Sequence, residues 1–346
     1  MKYLDLKAEV ERCNKANIRQ LKNSIEAYEG RLYNLPKKKK ISRLHDLNKR
    51  RSVTSSNEIE GIKVNTKRES ELFLDNAKPE TKEDYLLFGY NEALEYIYQN
   101  YKYISLNEKL IKELHYIMYK NISPAFGGKY KDSQNYIREY DHKGKLLQTV
   151  FIPPDPEETV SLMGNLIYQF EECLKDPLID RLTLVFVFIN DYLCIHPFND
   201  GNGRTSRLLT TLLLLKSGYN MDLYYSLSYL ILDHIDGYYQ SLKESGKEWS
   251  ENKTDPSPFV EYMFSLMVEG YRKLAYMQDL DDLKVKAKEK VLQVIKDTNR
   301  LISKAEIEEV LFSLSRTTIE KALKELVTEE KIELVTKGHY AKYSIK

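Results

Sequence analysis

The sequence predicts a mainly α-helical protein, with one short β-hairpin set among the helices and a helix-turn-helix unit at the end of the chain. Three observations carry this. Apolar residues recur three and four apart over most of the chain, two segments at 182–195 and 208–215 are apolar on nearly every face, and strand-like signals are few. A helix that is apolar all round belongs at the centre of a bundle, because a solvent-facing helix needs a polar side. With 346 residues the chain can bury a sizeable core and build more than one domain.

The helical stretches expected from periodicity are 106–120, 157–174, 205–216, 230–244 and 259–275. The run VFVFI at 185–189 fits a buried strand as well as a buried helix by periodicity alone. Between Gln134 and Ile152, NYIREY and LLQTVFI flank a turn at 142–145 containing Gly144, which reads as a hairpin. Pro153, Pro154 and Pro156 stop it, and Glu157 and Glu158 then suit the first turn of a helix. Alternating acids and lysines at 278–290 read as a solvated connecting helix. Helical stretches at 303–311 and 315–327, followed by the strand pair IELVTKGHYAKYSI, make a winged helix-turn-helix pattern.

Acids and bases nearly cancel, leaving a net charge of +1, so no global pull toward nucleic acid or membrane follows. Cys13, Cys173 and Cys194 form no C-x-x-C pair, and an odd count suits a reducing compartment. The first residues are charged and lack an apolar signal core, and the longest apolar stretches fall far short of a membrane span. These features lead us to expect a cytoplasmic protein without a membrane partner.

The segment that carries chemistry is HPFNDGNGRTSR, residues 196–207. A buried helix ends at a His-Pro step, a loop with Asp200 follows, and a new helix is expected to open at Arg204. Gly201 and Gly203 around Asn202 let the backbone turn tightly and aim successive N–H groups into one concavity. A helix N-terminus beside it adds unsatisfied donors and positive dipole potential, which favours anions. Arg204 and Arg207 lie three apart on one face of that helix, and two guanidinium forks suit a chain of phosphates. His196 is placed to act as general base, and Asp200 offers one hard oxygen to Mg²⁺. Taken singly, each part has a plainer reading as helix terminator, turn or carboxylate partner. Metal ligation by His196 with Asp200 is disfavoured because proline and glycine break the helical geometry it would use. In this order they point jointly to phosphate chemistry.

The segment resembles the Fic family, whose pattern H-x-F-x-[D/E]-G-N-G-R-x-x-R is matched by His196, Phe198, Asp200, Gly201, Asn202, Gly203, Arg204 and Arg207. The resemblance covers roughly residues 90–275, resolves VFVFI as helix, and implies a Fic-type helical bundle with a β-hairpin flap. It divides the chain into an N-terminal helical region at 1–90, a catalytic core at 91–277, and a linker helix with a winged helix-turn-helix at 278–346. It implies an adenylyltransferase: a protein hydroxyl attacks the α-phosphate of ATP, and pyrophosphate leaves. The resemblance gives His196 the proton and Asp200 the Mg²⁺ between α- and β-phosphates. It places Gly201, Asn202 and Gly203 around the transferring group, with Arg204 and Arg207 on the β- and γ-phosphates. Phe198 becomes an apolar anchor, the hairpin a flap that holds the target by strand addition, and Tyr238 and Tyr239 neighbours of the adenine. Plain helix packing remains open for that tyrosine pair.

Residues 56–61, SNEIEG, match the family's inhibitory motif [S/T]-x-x-x-E-[G/N] through Ser56, Glu60 and Gly61. By that resemblance Glu60 takes the Arg207 guanidinium that would orient the γ-phosphate, and it also supports removal of AMP in some relatives. A helix end capped by glycine is the plain alternative, and Glu58 could compete for the same arginine. The partners implied are ATP, an unidentified target protein or the chain itself, and a second copy in a homodimer. DNA is a further candidate partner, through 315–327. There Arg316, Lys321 and Lys324 are offset by Glu320 and Glu325, and a recognition or dimerisation module fits as well. The competing function is an ATP-sensing transcriptional regulator with that unit as output. The basic run at 36–51, with eight lysines and arginines against one aspartate, reads as a solvated face or contact patch.

Overall fold

The computed structural model describes residues 4–32, 40–75, 77–140, 144–298, 300–336 and 341–346. It begins with five helices, α1 (Leu6–Arg12), α2 (Ala16–Leu32), α3 (Lys40–Ile59), α4 (Thr66–Phe73) and α5 (Lys82–Asn100). Helix α6 (Glu108–Tyr119) then leads through an irregular segment to strands β1 (Ile137–Tyr140) and β2 (Leu146–Phe151). Helices α7 (Pro156–Lys175), α8 (Arg181–Ile195), α9 (Asn202–Lys216), α10 (Leu227–Asp233), α11 (Ile235–Ser245) and α12 (Ser257–Asp282) complete the bundle.

Helices α8 and α9 form its centre, as their all-round apolarity requires. From Leu182 to Ile195 every side chain is buried, which decides VFVFI as helix. Asp180 caps α8 by accepting from the Thr183 N–H at 2.7 Å. Helices α1, α7 and α12 pack on α8, while α3, α5 and α6 pack on α9. One hydrophobic core runs from Leu4 to Met277, so the N-terminal helices share it with the segment at 196–207. The boundary expected at 90/91 falls inside α5, and that at 277/278 inside α12.

The remaining elements are α13 (Ala287–Thr298), β3 (Ile302–Ser303), α14 (Lys304–Val310), α15 (Arg316–Thr328), β4 (Ile332–Thr336) and β5 (Lys342–Ile345). Strand β5 pairs antiparallel with both β3 and β4, giving the order β3-β5-β4. These elements enclose a second core around Val294, Ile307, Ile319 and Leu323. The unit therefore holds one more helix and one more strand than the two-helix-and-hairpin pattern read from sequence. It docks on the bundle through Phe312, which is buried in the main core, and through α3. Arg43 donates to the Leu314 carbonyl at 2.5 Å, and Arg51 pairs with Glu309.

Four expectations need correction or limiting. Helix α9 opens at Asn202 rather than Arg204, because Gly201 takes a left-handed φ of 81° and its carbonyl already accepts from the Thr205 N–H at 2.9 Å. Segment 230–244 is two helices, broken at His234, whose φ of −121° and ψ of 39° lie outside the helical region. Segment 278–290 is not one solvated helix: α12 continues to Asp282, α13 starts at Ala287, and Leu280 in the first and Lys290 in the second are buried. In the basic run, Lys49 pairs with Glu95 at 2.6 Å and Arg51 with Glu309, so this part is a packed contact rather than a free face. Residues 36–39 of that run, 141–143 of the hairpin turn and 337–340 between β4 and β5 lie outside the described residues.

Candidate active site

The site forms where α8 stops and α9 starts. Pro197 cannot continue a helix and disfavours the α-region for the residue before it, so α8 ends at His196 with φ 52° and ψ 61°. A left-handed backbone at a non-glycine residue costs about 1–3 kcal/mol and persists only where its surroundings enforce it. The His196 ring contacts the Leu193 carbonyl through Nδ1 at 3.2 Å. A carbonyl can only accept, so Nδ1 carries the hydrogen and Nε2 is left with its lone pair. Burial pushes the imidazole down to about 4, and Lys131 pushes the same way, so the ring is neutral at pH 7.

Phe198 locks the loop. It is fully buried, stacks on His115 at 3.8 Å between ring centres, and its N–H donates to Asn202 Oδ1 at 2.9 Å while Asn202 Nδ2 returns a bond to its carbonyl at 2.6 Å. Gly201, left-handed at the N-cap, supplies no side chain, so no side-chain oxygen caps the first turn of α9. Asp200 accepts from the Gly201 N–H at 2.7 Å and from the Tyr119 hydroxyl at 2.7 Å, yet its side chain stays largely exposed.

Arg204 and Arg207 project from that first turn and are buried. Tyr119 accepts from Arg204 Nη2, and Asp200 lies 3.7 Å from the same nitrogen. Among the described residues, Arg204 Nε and Nη1 and Arg207 Nη1 make no hydrogen bond although they are buried. Buried guanidinium nitrogens normally find acceptors, so three without one beside an uncapped helix N-terminus describe a cradle for a polyanion.

The motif at 56–61 reaches this cradle. Helix α3 ends at Ile59, and Gly61 follows with φ 76°, so the glycine-cap reading holds as well. Ser56 Oγ accepts from Arg207 Nε at 2.7 Å and its carbonyl from Nη2 at 2.8 Å. Glu60 Oε1 accepts from Nη2 at 2.7 Å. A Cβ on Gly203 would sit 2.2 Å from that same carboxylate oxygen, so Glu60 lies directly over the start of α9. Glu58 does not compete: it pairs with Lys63 at 3.3 Å.

Tyr238 is buried beside Arg207, and burial raises its hydroxyl to about 12. Tyr239 is half exposed, and its hydroxyl donates to the Ile59 carbonyl at 3.3 Å. The pair thus flanks the end of α3. Sequence reasoning missed His115 and Tyr119, which lie four apart on α6 and both touch Asp200. Gly128 N–H donates to His115 Nδ1 at 2.9 Å, so Nε2 carries the hydrogen and donates to the Asp200 carbonyl at 2.9 Å. It also missed Lys131 and Asn135 ahead of the hairpin. The i,i+4 spacing on an amphipathic helix was a signal for the first pair, but nothing local tied either pair to the motif.

The hairpin keeps an antiparallel register with two irregularities, and Leu146, Leu147 and Ile152 beside it are exposed. Among the described residues no helix is long and apolar enough to cross a membrane.

Residues 105–214 match the Fic/DOC family, a narrower span than the 90–275 expected. The protein adenylyltransferase Fic of Drosophila erecta is 34% identical over 137 residues, 38% of this chain and 25% of that one. The protein of the same name from Aedes aegypti is 28% identical over 184 residues, 51% of this chain and 31% of that one. The chain thus spans between a quarter and a third of the length of these curated relatives. In fold it is similar to a Fic family protein from Desulfovibrio desulfuricans G20, with a TM-score of 0.62, 20% identity and 96% of both chains covered. It is similar also to Fic-1 from C. elegans, with a TM-score of 0.61 and 20% identity over 76% of this chain and 73% of that one. The Fic/DOC match at residues 105–214 falls on the segment from α6 to α9 that builds the cradle.

Proposed function

We propose that this protein transfers AMP from ATP to a hydroxyl of a protein, a separate target or itself, and that Glu60 holds it inactive. The observation that carries this is the cradle of three buried guanidinium nitrogens without a hydrogen bond among the described residues, next to the neutral His196. In the transfer, the hydroxyl oxygen bonds to the α-phosphorus, the bond to the bridging oxygen of pyrophosphate breaks, and the hydroxyl proton passes to His196 Nε2. The amides at the start of α9 and Arg204 stabilise charge on the phosphates, and Arg207 takes the γ-phosphate once Glu60 leaves it. The curated relatives named protein adenylyltransferase support the choice of donor.

The donor set suits Mg²⁺: one exposed carboxylate, Asp200, with the remaining positions left to phosphate oxygens and water. The ion would neutralise phosphate charge there, while Tyr119 and the Gly201 N–H orient the carboxylate that holds it. Glu60 beside the same phosphates is also placed to support hydrolysis of the AMP ester. Tyr239, half exposed next to the cradle, suits the adenine better than the buried Tyr238. A homodimer is compatible with this reading and is not required by it.

The regulator reading needs phosphate contacts on α15. Its Arg316 is instead paired with Glu320 at 3.2 Å, which weakens that helix as a DNA reader. Incubation with α-labelled ATP and Mg²⁺ separates the two. We expect weak self-labelling by the wild type, strong labelling by Glu60→Gly, and none by Glu60→Gly with His196→Ala. Salt-dependent DNA binding with no label in Glu60→Gly would support the regulator instead.

A further inference from the structure

The loop that bears His196 is held from one side by a short segment that no motif describes. Lys131 is buried, its ammonium donates to the Ile195 carbonyl at 3.1 Å, and its own N–H donates to the Pro197 carbonyl at 2.8 Å. Asn135 Nδ2 donates to the His196 carbonyl at 3.2 Å and to the Phe198 carbonyl at 3.0 Å. Four consecutive loop carbonyls are therefore taken by two side chains and one amide from residues 131–135. Lys131 and Asn135 are themselves joined, Nζ to Oδ1 at 3.1 Å. Asp132 and Ser133 add contacts to the Asn199 amide at 3.0 and 3.3 Å.

The segment runs directly into β1, and Gln134 donates to the Pro153 carbonyl at 2.7 Å beyond β2, so both ends of the hairpin share its root with the loop. The end of a helix presents unsatisfied carbonyls, and a buried ammonium there satisfies one and complements the dipole. It also supplies what the left-handed His196 backbone needs, a surrounding that over-determines it.

We propose that Lys131 and Asn135 are positioning residues that staple the hairpin root to the catalytic loop, fixing the His196 base relative to whatever hydroxyl the hairpin presents. This rests on the reading of His196 as the base. Hydroxyl and base are then aligned by one rigid piece, and misplacement by about 1 Å can cost on the order of 100-fold in rate. Among the described residues, the charged groups that act on His196 are Lys131 from this segment, Glu60 just beyond α3 and Asp200 from its own loop. Only Lys131 is cationic, and it helps to keep the ring neutral.

The test uses the full chain carrying Glu60→Gly, with Lys131→Met, Lys131→Arg or Asn135→Ala added. Label transfer from ATP should fall about 100-fold in Lys131→Met and Asn135→Ala, with the KM for ATP within about twofold. Lys131→Arg should recover most of the rate. Because transfer could fail for other reasons, the His196 ring is also titrated by NMR, its signal identified by its loss in His196→Ala. Its midpoint should rise in Lys131→Met and stay low in Lys131→Arg. That readout stands even if Glu60→Gly never transfers label. An unchanged midpoint in a folded Lys131→Met, or a rate loss matched by an equal rise in KM for ATP, would overturn the staple.

Discussion

Arg207 donates to Glu60 at 2.7 Å while Nη1 of the same buried guanidinium makes no hydrogen bond among the described residues. The arginine is thus only part-satisfied in the closed arrangement, and it keeps capacity for a ligand with more oxygens than one carboxylate. Glu60→Gly should destabilise the free protein by about 1–2 kcal/mol, the low end for a broken ion pair because Glu60 remains partly exposed. Saturating ATP with Mg²⁺, at about a hundred times its Kd, should return about 2.7 kcal/mol to that variant. Thermal melts with and without nucleotide check this: the ATP-induced rise in Tm is expected to be larger in Glu60→Gly than in the wild type. Equal rises would mean that Glu60 does not compete with the nucleotide.

Tyr119 joins the carboxylate and one arginine of the site, donating to Asp200 and accepting from Arg204. Removing its hydroxyl frees Asp200 to rotate and deprives Arg204 of an acceptor. Loss of such a supporting bond typically weakens metal affinity about 10–100-fold. Tyr119→Phe, made in the Glu60→Gly chain, should therefore need at least about tenfold more Mg²⁺ for half-maximal label transfer. A titration of Mg²⁺ at fixed ATP measures this, and an unchanged half-point would remove Tyr119 from the metal site.

Gly203 separates two ways of losing the Glu60 contact. A methyl group there would meet Glu60 Oε1 at 2.2 Å and Arg207 Nη1 at 3.3 Å. Gly203→Ala should push the glutamate away and also fill the space that phosphate oxygens need. We expect no activation from Gly203→Ala, and loss of label transfer when it is added to Glu60→Gly, by about 100-fold. Activation by Gly203→Ala alone would mean that the phosphates do not approach α9 at this residue.

How much of this was legible in the sequence depends on whether the signal was local. The motif at 196–207 is contiguous, and its glycines and arginines sit where their conformations and charges require, so the cradle could be read almost residue by residue. Ser56 and Glu60 were readable only as a second motif, and their register against Arg207 needed the fold; Lys63 beside Glu58 settles which glutamate faces the arginine. His115, Tyr119, Lys131 and Asn135 were not legible, because each acts by meeting carbonyls or a carboxylate more than sixty residues away. The start of α9 was misread by two residues because an N-cap glycine with φ 81° looks like loop in sequence while its carbonyl already begins the helix. His234 likewise breaks 230–244 with neither proline nor glycine at the break.

His115 predicts how the fold responds to acid. It is fully buried, stacked on Phe198 and held by one bond given and one received, and burial pushes its imidazole down to about 4. The native ring stays neutral between about pH 6.5 and 4, whereas the same ring in the unfolded chain takes up a proton below about 6.5. The unfolded state therefore binds more protons in that window, and stability falls as pH drops through it. At 1.36 kcal/mol for each pH unit, the loss from this one residue is about 3 kcal/mol by pH 4, where it levels off. His196, shifted in the same direction, steepens the slope. Urea unfolding at pH 7, 5.5 and 4.5 should show His115→Gln less stable than the wild type at pH 7, since the bond from Gly128 is lost, but with a shallower decline toward pH 4.5. Parallel declines would mean that His115 is not held neutral, and the bond from its Nε2–H to the Asp200 carbonyl would then have to be reassigned.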